Sequence, residues 1–471
     1  MSGTGCTGYR QGMLSRRMFF GSGLGALSLP AILEGRAIAA VAGQLPADTA
    51  VIQYWLGGAA SHQETYDPKP DAPSDFRGPF KTISTNVPGI QICETLPMHA
   101  SVIDKVTLIR SMGHDNSDHQ HGMHWCQTGH DAKANGVNPF KGSSHPSIGS
   151  ITGLVRGSNH RAMPPYVHIG YPLDEVPGRH YPHAAAYLGR QHDPYVILDK
   201  RTGDGKDPGQ DREFRIGNLD LADGLTLSSL ASRRQLLSRI DRLRREADHS
   251  GMMDAMDHFQ QSAFEMIAGP RARKAFDLDQ EDQRTRERYG PTRPGQTALL
   301  ARRLVEAGVR FVTVYFDSSI GGRSATSGGW DTHGFDNTRM FPIIEKRHLP
   351  ITEETLPTLL DDLQDRGLLE DTLVVWMGEF GRTPKINANK SRDHWPQCYS
   401  ALLAGGGVKG GYIHGASDST GAYPSRDPVR PDDLSATVFH LMGIDPSTEV
   451  YDTQDRPLVI AEGDPILDLI A

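Results

Sequence analysis

Thr49-Ala50-Val51-Ile52-Gln53-Tyr54-Trp55-Leu56-Gly57-Gly58 is the stretch on which the fold turns. It is short, uncharged, and rich in β-branched and aromatic residues, and it stops at a glycine pair. That pattern predicts a strand buried on both faces that runs straight into a loop. Similar apolar runs recur at 105–110, 165–169, 308–316, 371–377 and 400–404. Amphipathic stretches at 297–307 and 351–365 precede two of these runs, and a late helix is expected at 432–442. Buried strands alternating with amphipathic helices predict an α/β fold: a doubly wound, mostly parallel sheet with helices on both faces. In such sheets ligands collect beyond the carboxyl ends of the strands, so the loop opened by Gly57-Gly58 becomes a place to look for chemistry.

The 471 residues suffice for one large domain with insertions, and the composition is that of an ordinary globular chain. The formal charge of -8 provides no basic footprint, so nucleic acid is not expected as a partner. Basic stretches at 233–245 and 271–288 read as solvated helix faces. The four cysteines, Cys6, Cys93, Cys126 and Cys398, contain no CxxC pair, which excludes a zinc ribbon or a thioredoxin motif.

Residues 1–42 read as a targeting segment. Ser15-Arg16-Arg17-Met18-Phe19-Phe20 precedes a short, glycine-containing apolar run, followed by small-x-small cleavage sites at 37–42. Paired arginines before a weakly apolar run match a twin-arginine address, which carries folded proteins. The translocase is then a partner during export, and the destination is periplasmic or otherwise outside the cytoplasm. The run is too short and glycine-rich to span a bilayer well, and the mature chain holds no spanning segment. Residues 48–471 are expected to form one domain. Within it, 203–223 reads as a surface loop and about 226–290 as a helical insertion.

Chemistry-bearing residues fall just after strands. Asp331 and His333 stand in Gly329-Trp330-Asp331-Thr332-His333, Glu379 and Arg382 in Gly378-Glu379-Phe380-Gly381-Arg382-Thr383-Pro384, and Asp393 and His394 in Arg392-Asp393-His394-Trp395. Asp, Glu and His together suit a divalent ion, zinc or manganese ahead of calcium, which prefers all-oxygen shells. Asp331, His333, Glu379, Asp393 and His394 are therefore the expected metal ligands or their supports. The planar fork of Arg382 suits a tetrahedral anion. A second cluster, His114, His119, His121, His124 and His130, follows the 105–110 strand. Such clusters recur in metal sites. His119, His121 or Ser117 is a candidate nucleophile or acid/base. In the first loop, Ser61 beside His62 reads as an ordinary polar pair, since neighbours rarely meet in nucleophile-base geometry.

Taken together these motifs, with Tyr66-Asp67-Pro68-Lys69-Pro70, Arg110-Ser111-Met112, Arg288-Tyr289-Gly290 and the 300–309 stretch, resemble a family of twin-arginine-exported bacterial proteins. It is catalogued as domain of unknown function fifteen-oh-one. The likeness covers nearly all of the mature chain. That family looks like a branch of the alkaline-phosphatase superfamily, which includes sulfatases and cofactor-independent phosphoglycerate mutases. The resemblance implies an alkaline-phosphatase-like fold, with one metal held by Asp331, His333 and His394. For a second metal it implies an Asp-His pair where Glu379-Phe380 stands, and a first-strand Asp where Gly57-Gly58 stands. His62 or Glu64 is then expected to compensate, with His114, His124 and His414 as additional candidate ligands. It puts His119 near the nucleophile position. No Cys-x-Pro-x-Arg motif is present, which disfavours a formylglycine sulfatase. The implied activity is metal-dependent hydrolysis of phosphate or sulfate esters of small molecules or saccharides. The alternative is an exported metal- or carbohydrate-binding protein that keeps the fold without catalysis.

Overall fold

The computed structural model describes residues 48–133, 145–170, 184–198, 269–316, 329–334, 339–452 and 454–471. The targeting segment 1–42, the 203–223 loop and residues 226–268 of the expected insertion lie outside them. Residues 269–290 of that insertion carry two short helices, Pro270–Phe276 and Gln283–Arg288.

The glycine-stopped strand is β1 (Ala50–Trp55), every residue of which is buried. The main sheet also contains β2 (Val106–Met112), β3 (Tyr166–Gly170), β4 (Tyr195–Leu198), β5 (Phe311–Tyr315) and β6 (Thr372–Met377). A two-residue hairpin outside it pairs β7 (Gly381–Arg382) with β8 (His394–Trp395). Strands β9 (Tyr399–Ala404) and β10 (Tyr412–His414) complete the main sheet. Its order is β10-β2-β9-β6-β1-β5-β3-β4. Near its centre, β1 pairs parallel with β5 (Val51 opposite Phe311) and with β6 (Ala50 opposite Thr372). Strand β9 alone runs against its neighbours β6 and β2. The sheet is thus mostly parallel, as the apolar runs imply. The sequence reading passed over β4 and β10, which are too short to show a pattern against their surroundings.

The pleat distributes side chains to two helical layers. Val167, Ile169, Val312 and Val314 join the core beneath α3 (Arg293–Ala307) and α4 (Leu349–Asp365). Their neighbours turn the other way: Tyr166 meets Phe311 edge-on at 5.4 Å, and Gly149 of α2 (Ile148–Arg156) lies flat against the Tyr166 ring. Tyr54 stacks on Trp376 at 4.5 Å and donates its hydroxyl to Pro294 O at 3.0 Å. Burying a side chain of this class stabilises by about 1.5–3 kcal/mol, so β1 is an energetic centre as well as a geometric one.

Helix α3 begins four residues before the expected 297. Thr292 caps it by accepting from Gly295 N, and Pro294 sits in its first turn, where a missing N–H is no loss. Gly308 closes it at φ 108°, which shortens the expected 308–316 strand to Phe311–Tyr315. Buried Arg302 ties α3 to α4 through Asp362 at 2.8 Å and to Glu281 at 2.9 Å. The late helix appears as α5 (Pro431–Leu441) and packs against α1 (His119–Thr128).

Candidate metal centre

Strands β1, β2, β5 and β6 all point the same way, so their carboxyl ends form one rim. Strand β9 runs in reverse, so its first residue is also at this rim, and the Arg392–Trp395 turn just before it is delivered there. Onto this rim come His119 from the start of α1, Asp331 and His333 from beyond β5, Glu379 after β6, and His394 before β9. Donor atoms of His119, Asp331 and His394 lie within 4.8 Å of one another.

Asp331 is the hub. Its Oδ1 lies 3.1 Å from His394 Nε2, 3.4 Å from His333 Nε2 and 3.2 Å from Arg382 Nη2, and its Oδ2 lies 3.5 Å from His119 Nε2. The three imidazoles share one arrangement. His119 Nδ1 meets Glu379 Oε1 at 2.6 Å, His394 Nδ1 meets Ser117 O at 3.1 Å, and His333 Nδ1 meets Gly334 O at 3.2 Å. Each Nδ1 therefore faces an oxygen acceptor, and each Nε2 is turned toward Asp331. Tying off one ring nitrogen is how proteins aim the other at a metal.

The electrostatics follow this geometry. Burial opposes ionisation of the Asp331 carboxyl, but hydrogen bonds from His119, His333 and His394 and the charge of Arg382 outweigh it and hold it well below the usual range. Burial likewise opposes a charged His119, yet Asp331 and Glu379 lift that imidazole to about 9. Burial pushes His394 down, and Arg382 adds to the effect while Asp331 opposes it. Buried Glu379 Oε2 has no hydrogen-bond partner among the described residues, and His119 Nε2 reaches only Asp331 Oδ2, at 3.5 Å. An unsatisfied carboxylate oxygen in a dry site is costly. This orphaned oxygen and the mixed nitrogen and oxygen donors fit a divalent ion such as zinc or manganese.

The local chain explains why these side chains meet. Asp118 caps α1 by accepting from Gln120 N and His121 N, which fixes the first turn carrying His119. His119, Gly122 and Cys126 share one helix face, and that face rests on Glu379 and Phe380. Gly58, at φ 93°, has no room for a side chain: a Cβ there would lie 2.2 Å from Asp331 N. Its N–H donates to Glu379 Oε1 at 2.9 Å, and its carbonyl accepts from Arg382 Nη2. Gly58→Ala is therefore expected to lower unfolding free energy by about 2 kcal/mol or more, the left-handed φ costing about 1–3 kcal/mol and the clash with Asp331 adding to it, read from urea midpoints. An unchanged midpoint would refute this close approach.

Several expected site residues have other placements. Glu379 lies behind His119 as its hydrogen-bond acceptor, outside the donor group. His119, read as a nucleophile candidate, offers its Nε2 to that group instead. Arg382 is buried and donates to Ala59 O and Trp330 O, each at 2.9 Å, as well as to Gly58 and Asp331, so only Nη1 lacks a partner. Such a guanidinium supports the rim and is not displayed to a substrate. Asp393 is exposed and accepts from Asn387 Nδ2 at 2.9 Å. Neither proposed substitute for a first-strand carboxylate reaches Asp331. Glu64 is clamped by Arg392, and His62 meets Gly421 O at 2.9 Å. His121 bonds its own cap, Asp118, at 3.0 Å, and His124 faces His130 O at 3.0 Å. His114 is buried between Trp125 and Tyr399 and meets the backbone oxygen of Glu379 at 2.6 Å. His414 stands on edge strand β10 opposite Ile109.

The sequence reading left Arg392 without a role and gave Ser117 that of a candidate nucleophile or acid/base. Arg392 donates to both oxygens of Glu64 and to Thr383 O, Pro384 O and Phe76 O, which anchors the turn before His394. Ser117 matters through its backbone oxygen, which no residue pattern can reveal. No helix among the described residues is long and apolar enough to cross a membrane.

None of the curated proteins matches the chain. Solved structures that it resembles include Ps i-CgsB, crystallised with k-i-k-neocarrahexaose (12% identity over 84% of this chain and 72% of that one, TM-score 0.39). Others are the PsFucS1 sulfatase from Pseudoalteromonas sp. (10%, 88% and 71%, TM-score 0.38) and the phosphonate monoester hydrolase of Agrobacterium radiobacter (11%, 89% and 77%, TM-score 0.37). The family described as protein of unknown function (DUF1501) matches residues 48–470, and the chain belongs to that family.

Proposed function

We propose that this chain is a metal-dependent hydrolase of phosphate or sulfate esters, of the alkaline-phosphatase type and exported through the twin-arginine route. One observation carries the reading: three imidazoles, each with Nδ1 at an oxygen acceptor, all turn Nε2 toward the buried carboxylate of Asp331. His119, Asp331 and His394 would hold the ion, with His333 beside them. A divalent ion there supplies Lewis acidity, offsetting charge on an ester oxygen and acidifying water. The protein's own part is positional. Glu379 sets the ring of His119, Ser117 O sets that of His394, and Arg382 holds Asp331 against the Gly58 turn.

Saccharide or small-molecule esters are the proposed substrates, and the paired arginines at 16–17 motivate a location outside the cytoplasm. The test is turnover of phosphomonoester, phosphodiester and sulfate-ester substrates by chelator-stripped protein and by protein reloaded with zinc or manganese. Metal-restored turnover is the expected result. Bound metal with no turnover on any of these would instead favour a non-catalytic metal- or carbohydrate-binding protein. That second reading draws on one observation: His119, at the expected nucleophile position, is held between Glu379 and Asp331.

Glu379→Gln keeps an acceptor for His119 and Gly58 but removes the charge behind the imidazole. Loss of such an outer partner costs roughly 10- to 100-fold in metal affinity or activity. Competitive chelator titration of the folded variant checks this, and unchanged affinity would separate Glu379 from the centre.

A further inference from the structure

Arg382 gives the centre a cation that cannot leave. Its guanidinium is 1% exposed and is anchored on two rim segments: Gly58 O and Ala59 O after β1, and Trp330 O and the Asp331 carboxylate, the latter at 3.2 Å, beyond β5. It cannot swing aside without stripping donors from buried carbonyls, and a guanidinium stays protonated in proteins. Among the described residues, the carboxylates of the centre are Asp331 and Glu379. The others nearby are committed elsewhere: Glu64 to Arg392, Asp67 to Lys69 and Ser417, and Asp393 to Asn387 at the surface.

Charge then limits occupancy. Among the described residues, two carboxylates and one guanidinium sum to a single negative charge once the imidazoles have given up their protons to bind an ion. One divalent ion reverses that to a single positive charge. A second would leave three positive charges in a buried space, with one of them fixed against a ligand carboxylate. Low local polarity makes such repulsion severe. The backbone of Gly57-Gly58 adds no anionic ligand after β1, and both of its carbonyls already accept hydrogen bonds, Gly57 O from Trp330 N at 3.0 Å and Gly58 O from Arg382 Nη2.

We infer that the centre is mononuclear, with Arg382 as its permanent second cation: one divalent ion binds at His119, Asp331 and His394, and the guanidinium fills the electrostatic place of another. This rests on the metal-centre reading above. It makes Arg382 a positioning residue whose effect is read in metal stoichiometry.

The experiment uses the mature chain stripped with chelator and reloaded with manganese(II) alone, and separately with zinc(II) alone. Bound ions per chain are counted by elemental analysis, and the same is done for Asp331→Asn. The readout is the number of ions lost on substitution, so ions bound elsewhere cancel. One ion lost, with the electron paramagnetic resonance spectrum of an isolated manganese(II), is expected. Two ions lost, or an exchange-coupled pair, would overturn the inference and leave the hydrolase reading standing. No loss with either metal would overturn both. Should Asp331→Asn fail to fold, the more exposed His394→Ala serves in its place, with the same one ion expected to disappear.

Discussion

On the proposed hydrolase reading, Asp331→Asn should lower ester hydrolysis at least about 1,000-fold, equivalent to about 4 kcal/mol of transition-state stabilisation. The carboxylate receives His394, His333 and Arg382 at one oxygen and His119 at the other. An amide matches its shape but carries no charge, and it presents N–H donors toward groups that are themselves donors. The ion proposed for this centre would lose its only anionic ligand among the three donor residues, while the fixed charge of Arg382 loses its partner. Metal binding should therefore weaken together with turnover. Steady-state kinetics on whichever ester the wild type cleaves, alongside elemental analysis and a circular-dichroism check of folding, will measure it. A folded variant that keeps its metal and stays within tenfold of wild-type turnover would remove Asp331 from the centre.

The largest stability effect is expected away from the chemistry. Arg392 and Glu64 are almost wholly buried, and Arg392 Nε and Nη2 both reach the carboxylate at 2.8–3.0 Å. Removing one partner of a buried ion pair leaves an uncompensated charge and costs roughly 3–5 kcal/mol. Arg392→Met should show a loss of that size in urea unfolding. Arg392→Met combined with Glu64→Gln should recover part of it, because the stranded carboxylate is gone while the carbonyls of Thr383, Pro384 and Phe76 still lack their donor. Additivity of the two substitutions would show that the pair is not coupled. Since Arg392 adjoins Asp393-His394, both variants should also lose metal affinity, although neither residue touches the centre. The placement of His394 thus depends on an ion pair that touches nothing in the centre.

Much of the architecture could be read in advance because hydropathy along the chain reports burial directly. The 49–56 run carries no charge and only Thr49 and Gln53 as polar residues, which suits a strand covered on both faces, so β1 belonged inside the sheet. The 371–377 and 308–316 runs gave their strands in the same way. Boundaries moved where a cap, not hydropathy, decides them, as with Thr292 and Gly308 at the two ends of α3.

Roles at the centre could not be read so directly. By itself the sequence determined that Asp331, His333 and His394 stood in loops beside buried strands, and that a glycine pair closed the central one. Only the tertiary structure decided that Glu379 backs His119 across 260 residues of chain, that Glu64 is claimed by Arg392, and that Arg382 is a buried support. It also decided that reversed β9 delivers His394 to the shared rim. The reason is physical: burial is a property of each segment and leaves a periodic trace, whereas a ligand's role depends on which ring nitrogen meets which oxygen. That meeting is set by strand direction and packing between distant elements.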